Sequence, residues 1–340
     1  MNRRIWTVMA GIAATAALVV IPSALAAYTS AKLEVRTAAG GATIKATLSP
    51  DDDPTASVRI FVPAGTTLTT TQAPGAVLGP VRAVVKALDL AGADLPLEGQ
   101  LIVAAPGQIT PAAQAACLGA TAPLASWIMI LSAAGQTLPV PTYLVATAGA
   151  QAALGPAYIQ VCLPPPDVPV GTPGRATFGA KLYSAELTIN GVFSATPGAW
   201  IAFWTPYTPN VGAVNVAGTV ASPASVSGGA VTAAARRAAK GAVVTGRATQ
   251  GGQPRAGATV AIFGAARATG LKRLGRVRTA ANGSFRFRAR TGTFFRANVT
   301  AAPAAAPAVC TALTAAIAPV PCVNPTTNGF TAQSRVVRKR

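Results

Sequence analysis

Histidine is absent from all 340 residues. That single gap removes the Ser-His-Asp triad, the Cys-His pair and every imidazole metal site. Carboxylates are scarce as well: Asp and Glu together number nine, and the last of them is Glu186. A two-carboxylate glycosidase would have to draw on Glu34, Glu98, Glu186 and a few Asp residues, and no spacing marks a pair. No close CxxC pair supplies zinc spacing either. The chain is therefore expected to be non-catalytic, with no cofactor and no metal. Its densest acidic run, Asp51-Asp52-Asp53, reads as a turn-forming loop, because three consecutive residues of a strand cannot all face one calcium ion. Charged residues make up only 11% of the chain, unlike disordered sequences, which combine high charge with little Val, Ile and Leu.

What the chain does have begins with an apolar leader. Asn2-Arg3-Arg4 precedes an uncharged run from Ile5 to Ile21, Pro22-Ser23 breaks it, and Ala24-Leu25-Ala26 offers small residues for a signal peptidase. Residues 1–26 are expected to be a signal peptide cleaved after Ala26, leaving a secreted or cell-surface protein with no transmembrane segment in the mature chain. An uncleaved membrane anchor is the alternative. Cys117, Cys162, Cys310 and Cys322 form an even set, as suits an oxidising compartment. Four cysteines allow three connectivities; the spacing favours Cys117–Cys162 and Cys310–Cys322, each contributing on the order of 3–4 kcal/mol by loop entropy.

Residues 27–230 read as short strands. Lys32-Leu33-Glu34-Val35-Arg36 and Thr43–Leu48 alternate apolar and polar residues, and the apolar runs that follow are punctuated by Gly and Pro. The spacing argues for a β-sandwich, with a helical turn or two within 82–91 and 111–120. No charge falls between Gly99 and Pro166, but Pro and Gly interrupt every stretch long enough to span a membrane. A sheet buried on both faces explains that segment, and a surface contacting another surface protein is the alternative. The densest aromatic cluster holds Trp200, Trp204 and Tyr207. Such residues usually fill a core, and exposed they would stack on sugar rings.

From Gly218 to Lys240 the chain is rich in Ala, Ser and Gly, and residues 231–240 are expected to be a linker. Beyond residue 230 the charge changes abruptly. Residues 231–340 carry fifteen Arg, three Lys and no Asp or Glu, a net +18, whereas residues 1–230 carry ten basic and nine acidic residues, a net +1.

GRATQGGQPRAGATVAIF (246–263) followed by TAANGSFRF (279–287) resembles the carboxypeptidase regulatory-like, or transthyretin-like, β-sandwich. Gly246, Gly252, Pro254, Gly257, Ala258, Val260, Thr279, Gly283, Phe285 and Phe287 carry the likeness, while Ala280 stands where an Asp is common. The resemblance covers about 60 residues and implies an immunoglobulin-like fold for 241–340 and an accessory, non-catalytic role. The whole chain also resembles uncharacterised exported bacterial β-sandwich proteins, through DDDPTASVRIFVPAG (51–65) and CLPPPDVPVGTPGRATFGAKL (162–182). The expected architecture is all-β, with two immunoglobulin-like or transthyretin-like sandwich domains after the leader.

Alternation around Phe285 and Phe287 places Arg286, Arg288 and Arg290 on the opposite, outer side. With Arg276, Arg278 and Arg296 they form the candidate site for a polyanion, since guanidiniums pair bidentately with phosphate or carboxylate. The expected partner is an anionic cell-envelope polymer or polysaccharide. No sequence-specific nucleic-acid motif is present. The alternative function is carbohydrate binding by Trp200, Trp204 and Tyr207.

Overall fold

A computed structural model of the chain describes residues 28–340, except 39–40, 134, 195–197, 223–224, 227–228, 252, 306–325 and 328. The expected leader, Cys310 and Cys322 lie outside the described residues. Among those described, no helix is long and apolar enough to cross a membrane. The fold is all-β with several sheets.

Twelve strands between residues 32 and 226 join one antiparallel sheet. They are β1 (Lys32–Ala38), β2 (Gly41–Thr47), β3 (Thr55–Phe61), β4 (Val77–Ala87), β5 (Ala93–Val103), β6 (Ala125–Ala133), β7 (Gln136–Ala146), β8 (Ala157–Cys162), β9 (Ala180–Asn190), β10 (Ala199–Pro206), β11 (Val220–Ala221) and β12 (Ser225–Val226). The order across the sheet is β1-β2-β9-β4-β5-β6-β7-β8-β3-β10-β11, with β12 also on β10. One edge strand, β1, comes within 8 Å of β10 and β12 at the far end. The sheet is therefore rolled, and one face of nearly every strand turns into a common core of Leu33, Ile44, Val58, Val81, Leu101, Trp127, Leu144, Ile159, Ile189 and Trp204, among others. This corrects the expectation of two stacked sheets over 27–230: a single curled sheet buries the alternating apolar residues against itself.

Alternation decides which residues face in. On β4, Val81, Ala83, Val85 and Ala87 are buried while Arg82 and Lys86 point out, and these cations pair with Glu98 and Asp94 of β5. Around β3, β8 and β10 the outer face is apolar too, where Phe61, Ile201 and Phe203 are covered with Leu154. The uncharged segment supplies β6, β7 and β8, in which Trp127-Ile128-Met129, Tyr143-Leu144-Val145 and Ile159-Gln160-Val161 are each buried as three residues in a row. Both faces are covered there, which is why no charge appears in the sequence. Helix α1 (Pro111–Leu118) begins at Thr110, whose hydroxyl accepts from the Ala113 N–H, with Pro111 in its first turn. The Cys117–Cys162 disulfide, with Cα atoms 5.8 Å apart, ties α1 to β8.

The loop before β3 is held by Asp52. Its carboxylate, in a residue 1% exposed, accepts from the backbone N–H (2.7 Å) and hydroxyl (2.9 Å) of Thr29 and from the Ser49 N–H (2.9 Å). The acidic run is thus a structural turn that anchors the chain ahead of β1.

The remaining strands form a second unit: β13 (Ala230–Val231), β14 (Ala234–Ala238), β15 (Gly241–Gln250), β16 (Gln253–Pro254), β17 (Thr259–Ala265), β18 (Lys272–Arg278), β19 (Ser284–Ala289), β20 (Phe294–Ala301), β21 (Ala304–Ala305), β22 (Thr326–Thr327), β23 (Phe330–Gln333) and β24 (Val337–Arg338). One sheet is built on β15, with β13, β14, β16 and β19 around it; the other runs β18-β17-β20-β23, with β24 on β20. Val244, Ala248, Phe285 and Ala289 of the first face Val260, Ile262, Phe295, Ala297 and Val299 of the second across one core. The expected linker at 231–240 is therefore corrected. β14 pairs with β15 from Ala234↔Thr245 to Ala238↔Gly241, and Val231 belongs to the core. Ala-rich composition concealed a strand whose pairing depends on backbone groups.

The chain's last residues touch both sheets. Val337 and Arg338 pair with Phe295 and Phe294 of β20. Two residues on, the Arg340 carbonyl accepts from Arg237 N–H (2.7 Å) and the Arg340 N–H donates to Ala235 O (3.2 Å), both on β14.

Candidate functional site

On β19, side chains alternate between faces. Phe285 is buried and Phe287 half-buried, Arg286 and Arg288 are exposed, and Arg290 is exposed just past the strand. The turn before it needs Gly283, whose φ is 76°. Gly283 N–H donates to Ala280 O at 2.9 Å, and Ser284 N–H donates to the Asn282 side-chain oxygen at 3.0 Å, so the turn sets the register of the arginines.

On β18, Arg276 and Arg278 are exposed opposite Ala261 and Thr259 of β17. A register shift skips Leu274, so Arg273 pairs with Phe263 and joins the same outer face despite its odd spacing. Arg296 departs from the expected row. It is half-buried on the outer face of this second sheet, and its guanidinium lies 5.6 Å from the centre of the Phe263 ring. The six expected arginines are thus divided: Arg286, Arg288 and Arg290 on one sheet, Arg276, Arg278 and Arg296 on the other.

The two sets meet along one side of the sandwich, where β18 and β19 come within 8 Å of each other. There Arg278 and Arg286 line one open notch together with Thr245, Thr279 and Ser284. The Thr279 hydroxyl is already committed, accepting from Ala258 N–H (2.9 Å) and donating to Arg255 O (2.6 Å). Each guanidinium carries five N–H donors in a planar fork, the geometry that matches phosphate or carboxylate oxygens. No side-chain carboxylate exists anywhere in 231–340 to neutralise them.

No protein family, curated protein or solved structure matches this chain. The arrangement is read from its own residues.

Trp200, Trp204 and Tyr207 are 1%, 0% and 8% exposed. Trp200 packs edge-on against Phe193, the Tyr207 hydroxyl donates to Leu163 O at 2.6 Å, and both indole N–H groups lack a hydrogen-bond partner among the described residues. None presents a ring face to solvent, which corrects the sugar-stacking expectation. Both faces of β10 are covered, as its run of apolar residues from Ala199 to Trp204 requires.

A second feature was not legible at all. The rolled sheet encloses a cavity of about 300 Å³. Its wall is aliphatic: Ile44, Val58, Ile60, Val81, Val85, Leu97, Met129, Leu131, Leu182 and Leu187 contribute, with Trp204. Native interiors contain few voids larger than one water.

Polar side chains reach the cavity at one end only, as Thr137, Arg175 and Thr177, and both threonines are exposed. Arg175 latches the loop at this end. It donates to Asp89 through both terminal nitrogens, at 2.7 and 2.6 Å, and through Nε to Val168 O at 2.6 Å. These hydrogen bonds hold the Asp89 carboxyl below its ordinary range and raise Arg175. Gly179, at φ 59°, makes room: a Cβ there would lie 2.9 Å from the Arg175 guanidinium. The loop also rests on its neighbour, because Asn210 N–H donates to the Asp167 carboxylate at 2.7 Å.

Proposed function

We propose that this is an exported, non-catalytic binding protein of the cell surface, whose C-terminal unit docks on anionic envelope polymers through its arginines. The observation that carries the reading is the notch shared by Arg278 and Arg286, set in a unit with eighteen cationic side chains and no carboxylate side chain. Every Asp and Glu is excluded from these 110 residues. Polyanion binding rewards such exclusion, since each neutralised phosphate releases a counterion and each stray carboxylate repels the ligand.

The assignment of this unit to the carboxypeptidase regulatory-like sandwiches belongs to the same proposal. Two facing sheets, Gly283 at positive φ and inward Phe285 support it. Export and surface location rest on the leader at 1–26 and on the disulfide, which suits an oxidising compartment.

Retention of the full chain on immobilised heparin and polyphosphate, across a salt gradient, tests the reading. The Arg278→Glu/Arg286→Glu variant should elute at markedly lower salt. Arg267→Glu/Lys240→Glu carries the same charge change away from the notch and should elute later than the notch variant. Equal elution of the two variants would reduce the effect to net charge and sink the site.

A further inference from the structure

We infer that the cavity inside the rolled sheet is a binding site for one hydrocarbon chain, of the kind carried by a fatty alcohol or fatty acid. This does not depend on the arginine surface, which belongs to the other unit.

Three observations carry it. The volume is about 300 Å³, some ten times the share of a water molecule in the liquid, which suits a chain of roughly ten to twelve carbons. The wall offers aliphatic side chains from eight different strands, and the unpartnered indole N–H of Trp204 is the one orphan buried donor among its described residues, so it suits methylenes far better than water. The polar lining is confined to one end, where Thr137 and Thr177 are exposed and lie between cavity and solvent. A bound amphiphile would set its polar end there and its chain towards Trp204.

Arg175 is not the ligand for that polar end. Four of its five donors are taken by Asp89, Val168 O and Ala176 O, so it acts first as a latch on the loop that borders the mouth. The two loops at this end carry Val170, Val211, Val214 and Val216, exposed at 81%, 64%, 55% and 74%.

The test uses the full chain and ω-bromododecanol, whose bromine quenches tryptophan at close range. Saturable quenching at one molecule per chain is expected, and Trp204→Phe should remove most of it. Ala83 lines the cavity and is 7% exposed, so Ala83→Phe should fill the space and abolish quenching with the fold retained by circular dichroism. Thr137→Phe lies at an exposed position, adds bulk at the mouth without adding a tryptophan, and should slow uptake if Ala83→Phe does not fold. Arg278→Glu/Arg286→Glu should bind the probe like the parent. Unsaturable quenching, or unchanged binding and uptake in the cavity and mouth variants, would overturn the inference and leave the cavity a dry packing void.

Discussion

Arg236 and Arg288 flank Val243 in a single cross-strand row, and Val243 is 4% exposed although it faces away from the core between the sheets. Two strand spacings put the arginine backbones about 10 Å apart. At that separation in water their repulsion is well under ~1 kcal/mol, so the pair is tolerated without a carboxylate between them. The stems of such side chains lie along apolar surface while the guanidiniums remain in water. The row therefore has two roles that substitution separates.

Arg288→Met keeps a long apolar stem over Val243 and removes the charge. It should unfold at nearly the parent temperature, yet elute from heparin at lower salt. Arg288→Ala removes both and should lose about 0.5–1 kcal/mol as well. Equal stability of the Met and Ala variants in urea titrations would show that the stem covers nothing.

Asp52→Ala removes the acceptor for three hydrogen bonds, two of them from Thr29. With a buried charged acceptor and donors nearer the surface, the loss should be about 1.5–3 kcal/mol in chemical denaturation. Asp52→Asn, which keeps one acceptor oxygen, should recover part of it.

The Asp89–Arg175 latch predicts a pH response. Asp89 is held below its ordinary value by hydrogen bonds from Arg175, so its contribution is complete above the unfolded carboxylate pKa of about 3.9 and disappears as pH falls through the lower folded value. The protection factor of residues 164–179, the exchange rate divided into its intrinsic value at each pH, should be flat from neutrality to about pH 5 and fall below about pH 4. In Asp89→Asn the loop should have a low protection factor at every pH, and trypsin should cleave after Arg175 sooner than in the parent.

Reduction of Cys117–Cys162, or replacement of both by Ser, opens a loop with a sequence separation of 45 residues. Loop entropy predicts a loss of about 4 kcal/mol in unfolding free energy. Because α1 is a short helix with no buried residue, it should also lose its own protection from exchange once untethered from β8.

How much of this was legible depended on how local each feature is. The inward phenylalanines and outward arginines of β19 follow from a period of two, and the glycine turn that registers them is three residues away. Cys117 and Cys162 were paired correctly by compartment and spacing. The rolled sheet was not legible, since β3 pairs with β8 and β10 while β9 sits between β2 and β4, and such long-range pairings leave no periodic mark in the chain. Ala234–Ala238 read as a linker because alanine and arginine carry little strand preference, whereas its pairing with β15 uses only the backbone. The division of the arginines between two sheets depended on β18 and β19 belonging to different sheets. The cavity is missing volume, for which no residue type is a marker.

The contacts of Arg340 with β14 and of Val337–Arg338 with β20 have a consequence for timing. Ala235 and Arg340 are about a hundred positions apart, so these edges close only through long-range pairing. Until the far end of the chain arrives, both strands present bare peptide groups that any neighbouring strand can match. A unit closed by a segment about a hundred residues downstream of its first edge is exposed to mis-pairing until that segment docks.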